Sequence, residues 1–588
     1  MTDRVKHTWN NIKDVLLNEQ TEILKVAGLL MLPTILTKIT GQLFSLLAAA
    51  RLDAKSDSLR EFLVASDLPE TLTNIVLLGV ISAVVIPILI DVKNKHGRER
   101  FLRVYNTIIN VSVLLFLAVT VLIIIFAQDA LLFFITYISR PDNLPAPDSL
   151  ERIVSMMRVM MFPNLILGVS AFVASGLNVY QRFLVPQLAP LFYNVGRIFG
   201  VFVLLPLLHE SPWALVMGTF LGALLHLFIQ IPLVRHLQLG YRPVIDLADE
   251  NVRKLFRVAL PRTLALAIDE VGLTIVNFVA FGLNALARGS LFYATSLATV
   301  IPSLFGFTFA VASFPTLTQL YLDKEYFRVN ELIIKTLNQI VFLAMPLVAA
   351  MMILRLPLVR LTYGLIPGTE FDRESTAAVA WVLLFFTFGM IFWAYKWYLY
   401  RIFYVAQNTF VPLVISAVSL ITTIVLSIVF SNLFSHSDAF SIGAINFAWE
   451  NLFSRSSGRA AIGGISLALS CVYILESMLL LFLADRLVVK LNWREFFSNL
   501  LRKLVPTVSM MAVMYGMYKM WDNLAFPIDA TPGFAGSTTL NLLILTGITV
   551  GTSFMIYYLM CFFFQVEDLK ILRRFLNPLF RIGGLSIK

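Results

Sequence analysis

Charged residues are scarce in this sequence. Asp, Glu, Lys and Arg make up 14% of its 588 residues, whereas a typical soluble domain contains about 25%. Hydrophobic residues make up 58%, and the mean hydropathy is +0.81. This balance excludes an ordinary soluble domain and predicts a polytopic membrane protein. The net charge of +10 is spread over the connections between apolar segments, so we predict no nucleic-acid partner.

Cysteine and metal-ligand patterns are also sparse. Cys471 and Cys561 both lie in apolar runs, which predicts buried thiols rather than a disulfide. The histidines show no metal-ligand spacing, and we find no nucleophile elbow or phosphate-binding glycine loop. The sequence therefore predicts no cofactor and no metal centre. The start of the chain lacks the layout of a cleavable signal peptide, and we expect a cytoplasmic amphipathic helix there.

Long apolar segments are what the sequence does contain. About fourteen of them have the length of about 20 residues that a helix needs to cross a bilayer. We predict an all-α polytopic membrane protein with about fourteen transmembrane helices. The predicted spans lie near 27–50, 70–90, 106–128, 155–177, 184–207, 212–233, 260–284, 291–318, 333–354, 377–400, 409–432, 462–484, 504–521 and 539–563.

The orientation follows from the basic connections, because cytoplasmic loops carry an excess of Lys and Arg. If the spans alternate, the basic stretches fall on one side and the acidic or mixed connections at 140–152 and 368–375 fall on the other. Both termini are therefore predicted to be cytoplasmic. The basic stretches are 91–103, 235–257, 324–335, 486–503 and the tail after residue 569.

An internal repeat is readable in the sequence. VYQRFLVP at 179–186 recurs as VAQNTFVP at 405–412, and ISAVVIPIL at 81–89 resembles FAVASFPTL at 309–317. The offsets are 226 and 228 residues. Because an even number of spans separates the copies, we predict two parallel six-helix lobes followed by two C-terminal helices. The predicted parts are a cytoplasmic segment 1–25, a first lobe 26–235, a cytoplasmic linker helix 236–258, a second lobe 259–485 with an outer insertion 434–461, and a final region 486–588.

Several ionisable residues lie inside predicted spans. The seventh span carries Arg262, Asp269 and Glu270, and the first carries Lys38. A charge within a spanning helix is costly and normally faces a partner or a water-filled cavity. These residues either form buried ion pairs that hold helices together or line a substrate or coupling-ion site. Arg262 could also reach the membrane interface from the start of its helix.

Three stretches resemble the MurJ/MviN family of lipid II flippases, within the multidrug/oligosaccharidyl-lipid/polysaccharide exporter superfamily. They are FLVASDLP at 62–69, the region 176–194 and the region 399–412. The resemblance covers roughly residues 25–485. The matching positions that we single out in the second and third stretches are Asn178, Arg182, Pro186, Asn194, Arg401, Asn408 and Pro412.

The resemblance implies a flippase that moves lipid II, a polyprenyl-pyrophosphate-linked peptidoglycan precursor, by alternating access of two lobes around a cationic cavity. The family's two first-helix arginines correspond to Lys38 and Phe44, and its eighth-helix arginine corresponds to Ser296. The cavity residues that the resemblance and the charge pattern select are Lys38, Arg262, Asp269, Glu270 and Ser296. Some family members are thought to bind sodium through a carboxylate of the seventh helix, which would be Asp269 or Glu270.

The function suggested by the resemblance has two alternatives. The altered set of cavity residues is consistent with a flippase for another polyprenyl-linked glycan. The loss of several cations is consistent with a membrane scaffold that does not transport lipid. In each case we predict a monomeric, multi-pass protein of the bacterial cytoplasmic membrane. For a transporter, the predicted partners are a polyprenyl-linked lipid, membrane lipids and a monovalent cation. No enzymatic activity is expected.

Overall fold

The computed structural model describes residues 23–76, 85–139, 146–366, 369–435, 459–524 and 535–569. Every regular element in those ranges is a helix, and ten helices there are long and apolar enough to cross a membrane. The helices are α1 Ile23–Arg51, α2 Asp57–Val76, α3 Ile86–Ile125, α4 Ala127–Tyr137, α5 Pro147–Val179, α6 Leu184–Leu207, α7 Trp213–His236, α8 Glu250–Leu283, α9 Ala285–Leu322, α10 Tyr326–Ile353, α11 Arg355–Tyr363, α12 Arg373–Val405, α13 Phe410–Phe434, α14 Arg459–Leu487, α15 Trp493–Leu524 and α16 Ala535–Phe563.

Where the structure describes them, the predicted spans lie almost entirely on these helices, so the all-α polytopic fold is confirmed. The second predicted span, 70–90, had the wrong start, because α2 already begins at Asp57. Arg60, Glu61 and Asp67 lower the hydropathy of its first half, although Glu61 and Asp67 are buried. Charged side chains that are paired inside the protein conceal a helix from a hydropathy scan.

The basic connection between the second and third predicted spans is helical rather than a loop. α3 runs through it and departs from helical geometry at Gly97, which has φ 76 and ψ −175. The Lys95 ammonium lies 2.9 Å from the Asp91 carboxylate one turn earlier. Arg98 donates to the carbonyl of Leu237 at 2.9 Å. Gly97 has a positive φ that glycine reaches without strain, so the basic stretch consists of two helical segments that meet at a kink.

The segment predicted as a linker helix, 236–258, is irregular over residues 237–249. α8 then runs without interruption from Glu250 through the seventh predicted span. The Asp249 side chain caps α8 by accepting from the backbone N–H of Asn251. Asn106 and Asn110 of α3 hold the irregular segment through hydrogen bonds to its backbone. Backbone groups that would be satisfied in a helix are satisfied here by asparagine amides.

The two copies of the longer repeat motif form the same kind of turn, which also closes other helices, for example at Lys324 and Gln565, so the repeat itself stays a prediction. Gln181 and Gln407, 226 residues apart in the sequence, both have φ 56. Each follows a long helix, and in each turn the next residue donates its N–H to a carbonyl five residues back, Arg182 to Leu177 and Asn408 to Phe403. This is the Schellman arrangement, which usually places glycine at the left-handed position.

The chain divides into two compact units, Met1–Gly289 and Ser290–Lys588. The first unit includes α8, whereas the repeat assigns the corresponding span to the second lobe. The lobe boundaries 26–235 and 259–485 therefore stay a prediction. In the second unit α12 is central, since 72% of its most apolar stretch is buried.

In the first unit, glycines bring α6 and α7 into backbone contact. Gly196 and Gly200 on α6 face Gly218 and Gly222 on α7. A Cβ atom on Gly218 would lie 2.6 Å from the Cα of Gly200, which leaves no room for a side chain. Both helices carry the small-xxx-small spacing that lets membrane helices pack at close range.

Some of the predicted features lie outside the described residues. They are most of the N-terminal segment 1–25, most of the outer insertion 434–461 and the basic tail after residue 569. The backbone of Arg262 is helical, but its side chain is likewise outside the described part of the chain.

Candidate functional site

α2 carries a buried ion pair in the first unit. The Asp67 carboxylate accepts from Nη2 of Arg288 at 2.7 Å and from Nε at 3.4 Å. It also accepts from the Asn277 side chain at 2.8 Å. The Asp67 and Arg288 side chains are only 5% and 6% exposed. Three helices, α2, α8 and the first turn of α9, therefore meet at one carboxylate.

A second polar contact joins α2 to α8, two turns away from the first. Asn74 donates to the Glu270 carboxylate at 3.1 Å, and the Thr71 and Thr274 hydroxyls are hydrogen bonded to each other. Asp269, the neighbour of Glu270, is half-buried. The structure thus brings Glu270 together with α2.

The first predicted span contacts α6 beside Lys38. Asn194 donates to the carbonyl of Thr37 at 3.0 Å and to the hydroxyl of Thr40 at 3.1 Å. Asn194 therefore holds α1 and α6 together, which is the usual role of an asparagine between membrane helices. The Lys38 side chain is exposed on α1 next to this contact.

Arg197 lies one turn after Asn194 and places a guanidinium on the same helix. Its guanidinium carbon lies 3.8 Å from the ring centroid of Phe44 and 5.5 Å from that of Tyr193. Its Nε atom is buried without a hydrogen-bond partner among the described residues. Glu70, an exposed carboxylate on α2, is within Coulombic range of Arg197. Lys38 and Arg197 are thus two cations at the α1–α6 contact.

The second unit has its own buried charge. Glu476 of α14, which the sequence leaves without an explanation, accepts from Lys396 of α12 at 3.0 Å. The Tyr400 hydroxyl donates to the same carboxylate oxygen and lies 3.1 Å from the Ser416 hydroxyl. Ser296, the predicted cavity residue of this unit, is half-buried on α9.

The positions that carry the family motif mainly build the two repeated turns. The Asn178 carbonyl accepts from Gln181, and the Asn408 side chain accepts from the backbone N–H of Val411 at 3.2 Å. Pro186 and Pro412 both lie in the first turn of the helix that follows. Arg401 of α12 lies 5.4 Å from the ring centroid of Phe314.

The sequence analysis missed Asp67, Arg288, Arg197 and Lys396. Each is a charge in or beside an apolar run, which is the same signal that selected Asp269 and Glu270. Among the described residues, no group of His, Cys, Asp and Glu could hold a metal ion.

Helices of membrane-spanning length with ion pairs buried between them define a polytopic helical membrane protein. The family model "Lipid II flippase MurJ" matches residues 54–444, and the chain belongs to this family, whose members are transporters rather than enzymes.

Relatives with established names agree with this assignment. Lipid II flippase MurJ of Burkholderia cenocepacia is 26% identical over 411 residues, covering 69% of this chain and 77% of that protein. Probable lipid II flippase MurJ of Borreliella burgdorferi is 20% identical over 507 residues, covering 84% of this chain and 90% of that protein.

Solved structures show the same fold. A structure of lipid II flippase MurJ in an inward closed conformation matches with a TM-score of 0.67 at 17% identity, covering 90% of this chain and 98% of that chain. An inward-facing multidrug resistance MATE transporter of the MOP superfamily matches with a TM-score of 0.58 at 13% identity, covering 76% and 94% of the two chains.

Proposed function

We propose that this protein moves lipid II, a polyprenyl-pyrophosphate-linked peptidoglycan precursor, across the bacterial cytoplasmic membrane by alternating access. The observation that carries the proposal is the family match over residues 54–444, which includes most of the described spans. The length of chain shared with the relatives supports it, because 77% to 90% of those proteins is covered. The basic connections support cytoplasmic termini.

The cationic side of the substrate site is proposed to lie at the α1–α6 contact. A pyrophosphate needs cations and hydrogen-bond donors in a path shielded from hydrocarbon. Lys38 is exposed beside the Asn194 bridge, and Arg197 has a donor that no described residue uses. Lysine supplies a point charge, and arginine adds a planar fork that matches phosphate oxygens. Arg197 thereby adds a cation to Lys38, the position that the family resemblance matches to an arginine of the first helix.

The acidic side is proposed to lie on α8. Asp269 and Glu270 follow each other in the sequence, and Glu270 is bonded to Asn74 of α2. A carboxylate between two membrane helices can exchange a proton or a monovalent cation as the helices move, which couples transport to an ion gradient. This coupling role rests on the proposed transport function.

The test is complementation of a strain in which its own lipid II flippase is depleted. We expect the wild-type chain to restore growth, and Lys38→Ala and the double variant Asp269→Ala/Glu270→Ala to fail at equal membrane levels. Lys95→Ala is the matched control, because Lys95 forms an exposed pair with Asp91 outside this site. Its growth should equal that of the wild type.

Other outcomes favour the alternatives. Failure of the wild-type chain at normal membrane levels contradicts lipid II transport and favours another polyprenyl-linked glycan or a scaffold. Rescue by all variants contradicts the proposed site but not the transport activity. An assay of fluorescent lipid II movement in proteoliposomes distinguishes a lipid II transporter from a scaffold, because a scaffold moves no lipid.

A further inference from the structure

The second unit contains a polar cavity that the proposed transport site does not use. It has a volume of about 340 Å³ and lies where α10, α15 and the residues after α16 meet. Apart from Val566, every side chain that lines it is polar or charged. A polar cavity at the ends of membrane helices is a site for a polar ligand rather than for hydrocarbon.

A buried lysine fixes the shape of this cavity. The Lys503 ammonium lies 2.7 Å from the Asp568 carboxylate, and it donates to the Asn338 carbonyl at 2.9 Å and to its side-chain oxygen at 3.0 Å. The side chain is 1% exposed. An ammonium has three donors, and these three acceptors satisfy them. Lys503 therefore joins α10, α15 and the segment after α16, and leaves the remaining charges to a ligand.

The remaining charges have both signs. Lys335 and Arg502 are exposed cations, and Glu331, Glu495 and Glu567 are exposed carboxylates. The carboxylates would repel a simple anion, and the two basic groups would repel a simple cation. A zwitterion that carries a phosphate and an ammonium can pair with both sets at once.

The cavity also adjoins an apolar surface. On α15, exposed Leu501, Val505 and Val508 form a stripe beside the cavity, with exposures of 62%, 46% and 60%. At the end of α16, Phe562 and Phe563 are 60% and 76% exposed. The apolar stretches of these helices end at the level of the cavity, which places the cavity at the boundary between hydrocarbon and water.

We propose that this cavity binds the headgroup of a membrane phospholipid whose amine is primary, that is, a phosphoethanolamine headgroup. Its phosphate pairs with Lys335 and Arg502, and its ammonium donates to the carboxylates of α10 and α15. Its acyl chains lie along the exposed stripe of α15. A quaternary amine has no N–H groups to donate, and an anionic headgroup lacks the ammonium, so both bind less well.

The first experiment measures which lipids stay bound to the full-length protein. The protein is reconstituted with equal amounts of phosphatidylethanolamine, phosphatidylcholine and phosphatidylglycerol of identical acyl chains, extracted in mild detergent and examined by native mass spectrometry. We expect phosphatidylethanolamine to be retained at least threefold over either of the others. Equal retention of the three lipids, or preference for phosphatidylglycerol, would overturn the proposal.

Variants assign the preference to the cavity. We expect Glu331→Gln/Glu495→Gln to abolish the preference over phosphatidylcholine, and Lys335→Gln to lower retention of all three phospholipids. The matched control is Glu325→Gln/Arg328→Gln, which removes an exposed ion pair near the start of α10 outside the cavity. A loss of preference in the control, or its persistence in Glu331→Gln/Glu495→Gln, contradicts the assignment.

The last experiment distinguishes binding of a lipid headgroup from binding of free phosphate. The melting temperature of the delipidated protein is measured with inorganic phosphate alone and with short-chain phosphatidylethanolamine. The proposal requires a rise with the lipid that inorganic phosphate does not reproduce. An equal rise with inorganic phosphate would make the cavity a phosphate site and overturn the lipid assignment.

Discussion

The two units each bury an ion pair among their membrane helices, and the two pairs are built differently. In the first unit Asp67 receives both a guanidinium and an amide, from Arg288 and Asn277. In the second unit Glu476 receives an ammonium and a phenol, from Lys396 and Tyr400. Both carboxylates are almost fully buried, with exposures of 5% and 1%.

The difference lies in what each cation can do. Arginine stays charged and holds a carboxylate through a planar fork, whereas a buried lysine can release its proton and rotate its donors. The Asp67 pair therefore holds α2, α8 and the first turn of α9 together. The Glu476 pair, with Tyr400 and Ser416 as hydroxyl neighbours, joins α12, α13 and α14.

The largest expected effect comes from breaking the first pair. Asp67→Ala leaves Arg288 buried without its carboxylate, and we expect the free energy of unfolding to fall by about 3–5 kcal/mol. Thermal unfolding in detergent, followed by fluorescence size-exclusion chromatography, measures the change. The double variant Asp67→Leu/Arg288→Met should recover much of the loss, because apolar side chains can replace a buried ion pair. An unchanged melting temperature in Asp67→Ala would show that the pair does not join the helices.

Breaking the ion pair of the second unit should lower the free energy of unfolding by a smaller amount. Glu476→Ala leaves Lys396 without its carboxylate, but the lysine side chain is 15% exposed rather than fully buried, so we expect a loss of about 2–3 kcal/mol. A double-mutant cycle with Lys396→Met, measured by the same unfolding assay, isolates the coupling between the two residues. If Glu476→Ala lowers the free energy of unfolding as much as Asp67→Ala does, the two ion pairs do not differ in their contribution to stability.

Removing one hydroxyl should have a smaller effect. Tyr400→Phe deletes a donor to Glu476 but keeps the ring and the Lys396 contact, so we expect a loss of roughly 1.5 kcal/mol. Tyr515→Phe, which removes a hydroxyl from a tyrosine that is 55% exposed on α15, is the control for loss of a tyrosine hydroxyl. Equal losses of stability in the two variants would show that the hydrogen bond to Glu476 adds nothing to the stability.

The smallest effect is expected at the protein surface. Arg328 and Glu325 form an ion pair at 2.8 Å, with side chains that are 67% and 40% exposed. Arg328→Ala should change the free energy of unfolding by at most about 0.5 kcal/mol, because exposed pairs gain little over their hydration. A loss above about 1 kcal/mol in the unfolding assay would contradict the ranking of buried over exposed pairs.

The sequence predicts the spans well because each must be apolar over a fixed length, and this is a local property. The partners of the charges are not local. Asp67 and Arg288 are 221 residues apart in the chain, and Asn74 and Glu270 are 196 apart. Asp67 lies within the motif at 62–69, yet nothing in that motif indicates that an arginine of α9 will reach it.

The contact between α6 and α7 has a consequence for how a long lipid tail passes this protein. Where Gly196, Gly200, Gly218 and Gly222 bring the two backbones together, the gap is narrower than a hydrocarbon chain. A lipid chain therefore has no path between α6 and α7 at this level. A lateral path from the bilayer into the first unit would have to lie between other helices.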